Sequence, residues 1–312
     1  MREEKIKVYL NSVSEDWIVD RLRKEWYQHN KEISTKFTSK SNIIWIISPW
    51  GWKKINLKHL KNKKVLCTIH HIDEDKFDEK AKLEFKNRDQ FVDEYHVVSK
   101  TTYEQVQLLT KKNITYIPFW VNNEIWFHKE NKEELRKKYG FNNKEFLIGS
   151  FQRDSEGHDL TLPKLSKGPD RFVEIVKEVS TNEENLRVIL TGRRRNYIIH
   201  ELEKNNINYS LFEMADFSTM NDLYNCLNLY IVTSRYEGGP QAILEAAITK
   251  TPIISTKVGI AQEILSKASI FEMDNFKIAK PDTEFAYESV SKLNMTSIFK
   301  DFSKLLNRVL SN

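Results

Sequence analysis

Ser234-Arg235-Tyr236-Glu237-Gly238-Gly239-Pro240-Gln241-Ala242-Ile243-Leu244-Glu245-Ala246 follows an apolar run, Leu229–Ser234, that reads as a buried strand, and it opens a helix. Pro240 fits the first helical turn, where its missing N–H costs nothing. Gly238 and Gly239 let the backbone turn sharply and let a ligand come close. The unpaired N–H groups of a helix start form an anion site. Glu237 falls in the loop and Glu245 in the helix, which rises ~1.5 Å per residue, so both carboxylates can address one extended ligand at separate points. Carboxylates accept well from adjacent hydroxyls such as those of ribose or hexose. Leu244, Ala246, Ala247 and Ile248 predict a largely buried helix, and a buried carboxylate without a partner is costly.

Outward from this segment, short apolar runs alternate with helical patterns. Downstream of residue 143 the strand runs are Phe146–Ser150, Leu186–Thr191, Tyr209–Phe212, Leu229–Ser234 and Ile253–Ser255. The helical stretches between and after them are Asp170–Val179, Tyr197–Lys204, Thr219–Leu227, Gln241–Lys250 and Ala261–Ser266. Upstream, Ile6–Leu10, Ile43–Ser48, Val65–His70, Tyr95–Ser99 and Ile114–Pro118 read as strands. The helices there are Asp16–His29, with Trp17, Val19, Leu22 and Trp26 on one side, Asp78–Phe91 and Thr101–Leu109. Strands separated by helices imply parallel sheets with crossover connections. The fold class is therefore α/β with two Rossmann-like, doubly wound domains: 1–121, a polar interdomain connection over 122–143, and 144–294. The last helical segment, 295–312, is expected to return to the first domain. Two such domains facing each other place a cleft at the carboxyl ends of their strands, where open α/β sheets bind ligands.

The 312 residues, 40% hydrophobic and 30% charged, suit a globular two-domain chain. No apolar run approaches the ~20 residues of a membrane span, and the N-terminal MREEKIKVYL lacks the apolar core of a signal peptide. Cys67 and Cys226 are far apart and outside any C-x-x-C pair, which argues against a zinc ribbon or disulfide framework. A cytoplasmic location is expected. Residues 1–121 carry 23 Lys and Arg against 17 Asp and Glu, whereas the remainder of the chain is −1. The excess centres on Lys53, Lys54, Lys58, Lys61, Lys63 and Lys64, just after Trp50 and Trp52. Such a face suits an anionic inner-membrane surface or is simply solvated. No nucleic-acid partner is expected. Neither G-x-G-x-x-G nor a Walker A sequence occurs, so dinucleotide and ATP fingerprints are absent.

Glu237…Glu245 around Gly238-Gly239-Pro240 resembles the E-x7-E motif of retaining GT-B glycosyltransferases, especially family 4. Leu223-Tyr224 with Leu227-Asn228-Leu229 resembles the family's preceding helix. Glu245-Ala246-Ala247, Thr251-Pro252-Ile253-Ile254-Ser255-Thr256, Gly259 and Glu263 resemble its following run. The clear likeness spans roughly Phe146–Leu265, and an ordered set of motifs is far more specific than one pair of glutamates. The resemblance implies a GT-B fold and transfer of a sugar from a UDP- or GDP-sugar to a glycan or lipid-linked acceptor, with retention, in surface polysaccharide synthesis. It implies no metal and no cofactor beyond the donor. Glu237 would contact the donor sugar and Glu245 the ribose hydroxyls.

The family supplies an Arg and a Lys for the diphosphate after the first strand of the second domain. Arg153 matches the Arg, Lys167-Gly168 the Lys-Gly, and Asp170 the Asp that follows. Here Arg153 and Lys167 stand farther apart than usual, separated by an insert, Asp154–Ser166, that contains His158 and Lys164. Thr191-Gly192-Arg193 resembles the loop beside the nucleotide. The run Arg193–Arg195 is left open between phosphate, acceptor and water. Phe212-Glu213-Met214 matches the segment flanking the base.

In the first half, Thr68-Ile69-His70-His71 resembles the segment that places a histidine before the donor sugar; His70 is the first choice and His71 the second, against a plain strand-end histidine. The loop Asn11-Ser12-Val13-Ser14 has no glycine where relatives carry several, leaving Ser12 and Ser14 as substitutes on the acceptor side. Trp50, in the aromatic loop Ser48–Trp52, suits stacking on a sugar or meeting a lipid. Asp73-Glu74-Asp75 fits the D-x-D metal motif of the other glycosyltransferase fold, GT-A; the two sheet series argue against it. A partner subunit that binds a sugar nucleotide without catalysis and a nucleotide-sugar epimerase of GT-B fold are the alternative readings.

Overall fold

The computed structural model describes residues 5–14, 18–158 and 160–312. It has two compact units: the chain up to Phe119 together with Thr296–Asn312, and Trp120–Met295.

The first unit is built on five parallel strands, β1 (Val8–Leu10), β2 (Ile43–Ile46), β3 (Lys64–Ile69), β4 (Glu94–Val97) and β5 (Asn113–Tyr116). They lie in sequence order. Helix α1 (Ile18–His29) links β1 to β2, and α2 (Leu57–Asn62), α3 (Glu79–Asp89) and α4 (Lys100–Gln107) follow. All four residues of β2 are buried, because a parallel sheet covered on both faces needs apolar side chains on both. Ile44, Ile46, Val65, Cys67, Tyr95 and Val97 point to one face and pack with Trp52, Ile55, Leu60, Phe85 and Val106. Trp45 points to the other, where Trp26 of α1 meets it edge-on at 5.1 Å and Phe302 of the C-terminal helix lies at 4.8 Å. Val19, Leu22 and Trp26 form the buried side of α1; Asp16 and Trp17 lie outside the described residues. Asp73 precedes a single 3-10 turn, Glu74–Lys76, and no group of three metal-binding side chains gathers among the described residues. Nor is any helix among them long and apolar enough to cross a membrane.

The second unit has a six-stranded parallel sheet of β6 (Phe146–Ser150), β9 (Leu186–Thr191), β10 (Asn208–Phe212), β11 (Leu229–Val232), β12 (Ile253–Thr256) and β13 (Ile270–Phe271), plus a small antiparallel hairpin of β7 (Ser155–Glu156) and β8 (Leu162–Pro163). Its helices are α5 (Lys132–Lys138), α6 (Pro169–Ser180), α7 (Asn196–Lys204), α8 (Phe217–Cys226), α9 (Gln241–Ile248), α10 (Ala261–Ile264) and α11 (Thr283–Ser291); α12 (Met295–Ser311) then joins the first unit. Sheet order is β10-β9-β6-β11-β12-β13. The chain leaves β6 toward β10, then returns to β11 on the other side of β6. That reversal makes the carboxyl ends of β6 and β11 the topological switch point, the place where open α/β sheets bind ligands.

Residues 122–143 are more than a connection. Trp126, Leu135 and Phe141 belong to the same core as Leu223, Tyr224, Ile243 and Leu244. The segment's polar groups hid this from a reading of periodicity, since they satisfy buried backbone and carboxylate groups. Arg136 donates to the carbonyl oxygens of Cys226, Asn143 and Glu145. Asp222 accepts from Lys129 at 2.6 Å, Lys138 at 2.7 Å and the Tyr139 hydroxyl at 2.8 Å.

Candidate functional site

Three loops converge at the switch point of the second unit. After β6 the chain runs through Arg153, the β7–β8 hairpin and a 3-10 turn, Leu165–Lys167, into α6. After β11 it runs from Thr233 to Pro240 and into α9, and the third loop, 257–260, joins β12 to α10. Two glycines let these loops touch. Gly168 has φ +65°, and a Cβ there would stand 1.9 Å from the Thr233 carbonyl oxygen. Gly259 has φ +48°, and its Cβ would stand 2.0 Å from the Gly238 carbonyl oxygen. Only glycine tolerates both that backbone and that approach. The contacts are then fastened: the Thr233 hydroxyl donates to the Gly168 carbonyl at 2.8 Å, and the Ile260 N–H to the Gly238 carbonyl at 2.8 Å.

Arg235 and Asp170 clamp the first loop to the second. The guanidinium donates to both carboxylate oxygens, at 2.8 and 2.6 Å, and the Arg235 N–H donates to the Ser166 carbonyl at 2.8 Å. Burial alone would raise the Asp170 pKa; the two-pronged guanidinium outweighs it, and the carboxyl is held below its ordinary value. The resemblance pointed to Asp170 but not to Arg235, whose role needs the loops folded together.

Within this frame Lys167 reaches Glu237, its ammonium donating to Oε1. The Ser234 hydroxyl donates to the same oxygen at 3.3 Å. The pair thus joins two residues 70 positions apart in sequence. Arg153 donates from Nε to the Ser155 carbonyl at 3.0 Å. Burial and then the neighbouring Arg194 lower its pKa. Gly238, Gly239 and Pro240 form the turn into α9, whose first residue is Gln241, so Pro240 stands at the cap rather than within the first turn. Glu245, one turn farther on, is 5% exposed and accepts from the Tyr224 hydroxyl at 3.1 Å.

The arginine run divides. Arg195 is fully buried, with Nε donating to Asp154 at 2.6 Å and Nη1 to the carbonyls of Ser150 and Thr191 at 2.8 and 3.0 Å. It is an internal tie between the β6 and β9 ends, and its 41-residue separation from Asp154 left no signal in the sequence. Arg193 is exposed and lies against Met214, with Nε donating to Sδ at 3.2 Å. Gly192 lines a cavity of about 680 Å³ with Arg194, Tyr197, His200, Leu211 and Glu213. Glu237 and Glu245 do not line it, so this hollow and the charged cluster are separate features of this unit.

The remaining candidates belong to the first unit. His70 Nε2 donates to the Ile47 carbonyl at 2.8 Å, and the ring lies 5.8 Å from Trp50 and 5.7 Å from Phe119. Burial is the main force lowering its pKa to about 4, so the imidazole is neutral at pH 7 and carries its hydrogen on Nε2. His71 is exposed. Ser12 donates to Asp20 at 3.4 Å. Ser14 has φ +56°, so the glycine-free loop still adopts a backbone that glycine favours. Neighbouring Asn11 exchanges hydrogen bonds with the Ser48 backbone at 2.9 and 3.0 Å. Trp50 is half exposed.

Comparison with known proteins agrees with this architecture. Residues 161–293 match the family described as "Glycosyl transferases group 1". Mannosylfructose-phosphate synthase of Agrobacterium fabrum is 23% identical over 156 residues, a match covering 47% of this chain and 33% of that enzyme. The chain thus aligns with a third of that relative's length. Anabaena Alr3699/HepE, solved with UDP and glucose, superposes with a TM-score of 0.74 at 11% identity, covering 98% of this chain and all of the other. Sucrose-phosphate synthase from Thermosynechococcus elongatus gives 0.69 at 16% identity, covering 94% and 77%. The chain has the GT-B fold, and its residues 161–293 are similar to the glycosyl transferases group 1 family.

Proposed function

We propose that this chain transfers a sugar from a nucleoside-diphosphate sugar to a glycan or lipid-linked acceptor with retention of configuration, in surface polysaccharide synthesis. The observation that carries the reading is the Lys167–Glu237 pair, formed by the loops that leave β6 and β11 where the second sheet reverses. A sugar–diphosphate bond breaks through an oxocarbenium-like state, and the electron pair leaves on a phosphate oxygen. Fixed cations and helix N–H groups aimed at that oxygen stabilise it more than they stabilise the intact donor. Glu237 then faces the sugar, while Glu245, oriented by Tyr224, takes the ribose hydroxyls. The acceptor hydroxyl attacks from the face the phosphate leaves and gives it the proton, so no side chain serves as a covalent nucleophile. Neutral His70, its Nε2–H held by the Ile47 carbonyl, offers the sugar the lone pair of Nδ1 rather than a charge. No metal ion is required by this scheme.

UDP is the first donor nucleotide to try, since HepE holds UDP with glucose. The half-exposed Trp50 and the exposed Leu57, among exposed Lys54, Lys58 and Lys61, support peripheral contact with an anionic membrane. A thermal-shift panel of nucleoside diphosphates and their sugars tests donor binding, and release of nucleoside diphosphate on adding acceptor extract tests transfer. Glu237→Ala is expected to abolish transfer with a modest loss of nucleotide affinity, whereas Glu245→Ala chiefly weakens nucleotide binding. Wild-type transfer rates and affinities in both variants would end the proposal.

A further inference from the structure

The insert between Arg153 and Lys167 has a structure that puts a third cation beside the other two. Asp154, its first residue, is pinned by buried Arg195, and the N–H groups of Asp154 and Ser155 donate to the Arg194 carbonyl at 3.2 and 3.1 Å. The Ser155 hydroxyl donates to Asp154 at 2.7 Å and accepts the Tyr197 N–H at 2.9 Å. The hairpin pairs Ser155 with Pro163 and Glu156 with Leu162, so the chain returns to its starting point. There the Lys164 N–H donates to the Asp154 carbonyl at 2.7 Å, and the Lys164 carbonyl accepts the Lys167 N–H at 2.8 Å. Lys164 is thereby fixed between the buried tie and the turn that carries Lys167.

The Lys164 side chain is half-buried, and its ammonium has no hydrogen-bond or ion-pair partner among the described residues. Its pKa is lowered, first by burial, then by Lys167 and Arg153; Glu156 and Glu237 oppose this. Arg153 in turn feels Arg194 and Glu156. The cluster therefore contains four cations, Arg153, Lys164, Lys167 and Arg194, and two carboxylates, Glu156 and Glu237. An excess of positive charge, with Arg153 and Lys164 half-buried, is unfavourable until an anion arrives. The diphosphate of a sugar nucleotide is such an anion.

We propose that Lys164 is a third cationic contact for the donor's diphosphate, positioned by the inserted hairpin. The inference rests on the transferase reading and adds to it a residue that the two-cation pattern of Arg153 and Lys167 does not contain. The test measures calorimetric affinities of the full chain for UDP and UMP. Lys164→Gln is expected to weaken UDP about tenfold, a charge-assisted contact's worth, while UMP affinity changes by less than twofold. Lys164→Arg restores most of the UDP affinity. The melting temperature without ligand stays level or rises in Lys164→Gln, since a like-charge repulsion is removed. Unchanged UDP affinity in Lys164→Gln, or equal losses for UDP and UMP, overturns the proposal; equal losses would mean that the lysine only shapes the loop. Should Lys164→Gln melt lower than wild type, Lys164→Arg decides the matter: retained UDP affinity supports the contact and lost affinity refutes it. If the wild-type chain binds neither UDP nor GDP, the transferase reading itself fails, a result separate from any difference between variants.

Discussion

Lowering the pH from 7 to 5 should destabilise the first unit through its buried histidines, His70 and His96, and replacing His96 isolates the share of one of them. His96 on β4 is fully buried, and a chain of hydrogen bonds fixes its tautomer. Trp45 Nε1 donates to the Thr68 hydroxyl at 2.8 Å, Thr68 donates to His96 Nδ1 at 2.9 Å, and Nε2 donates to the Ile117 carbonyl at 2.7 Å. Protonating Nδ1 would set two donors against one another at Thr68 and place a charge among Phe119 and Phe302. Burial is the main cause that brings the His96 pKa down to about 3. The unfolded value is ~6.5, so the folded chain resists a proton that the unfolded chain accepts. His96 therefore costs nothing above pH ~6.5, and stability is lost as the pH falls from there toward 3. At pH 5 the loss is about 2 kcal/mol, from ~1.5 pH units at 1.36 kcal/mol each. Urea unfolding followed by tryptophan fluorescence reads it, since five of the seven tryptophans precede Phe119 in sequence. Wild type should lose about 2 kcal/mol more than His96→Gln between pH 7 and pH 5. Equal losses in the two proteins would refute the reasoning.

Arg195→Met should destabilise the second unit by about 3–5 kcal/mol, because it leaves the Asp154 carboxylate buried without its partner; urea unfolding at pH 7 measures it, and a loss below about 1 kcal/mol would contradict the tie. Gly168→Ala should cost about 3 kcal/mol, combining ~1 for the left-handed backbone with ~2 for forcing the Thr233 carbonyl aside, and should lower nucleotide affinity along with melting temperature. Replacing Lys54 and Lys58 by Gln should weaken sedimentation with phosphatidylserine vesicles roughly thirtyfold, at ~1 kcal/mol per lysine near the surface; unchanged sedimentation would remove the membrane contact from the proposal.

Much of the second unit was legible before folding. The strand at Phe146–Ser150 matches its sequence reading residue for residue, and α6, α7 and α8 stray by only a few residues, because their apolar stripes and breakers are local signals. The short helices α2 and α11 escaped notice: each buries only one or two side chains, Leu60 in one and Ala286 and Val290 in the other, too few to set a period. The β7–β8 hairpin escaped as well, since four residues of pairing carry no alternation. Sheet order in the first unit was equally hidden. Five strands in sequence order and a reversing order produce the same succession of apolar runs.

What the sequence determined by itself was chemistry laid out along one segment: Glu237, a glycine turn, a helix start and Glu245, with Arg153 and Lys167 carried over from a resemblance. Tertiary structure alone decided which charges meet. Lys167 finds Glu237 across 70 residues, Arg235 finds Asp170 across 65, and three adjacent arginines part into an exposed residue, a neighbour of Arg153 and a buried tie. The physical reason is that a carboxylate or guanidinium gains from a partner only within a few ångströms, and such distances between remote residues exist only once the sheet has brought their loops to one edge.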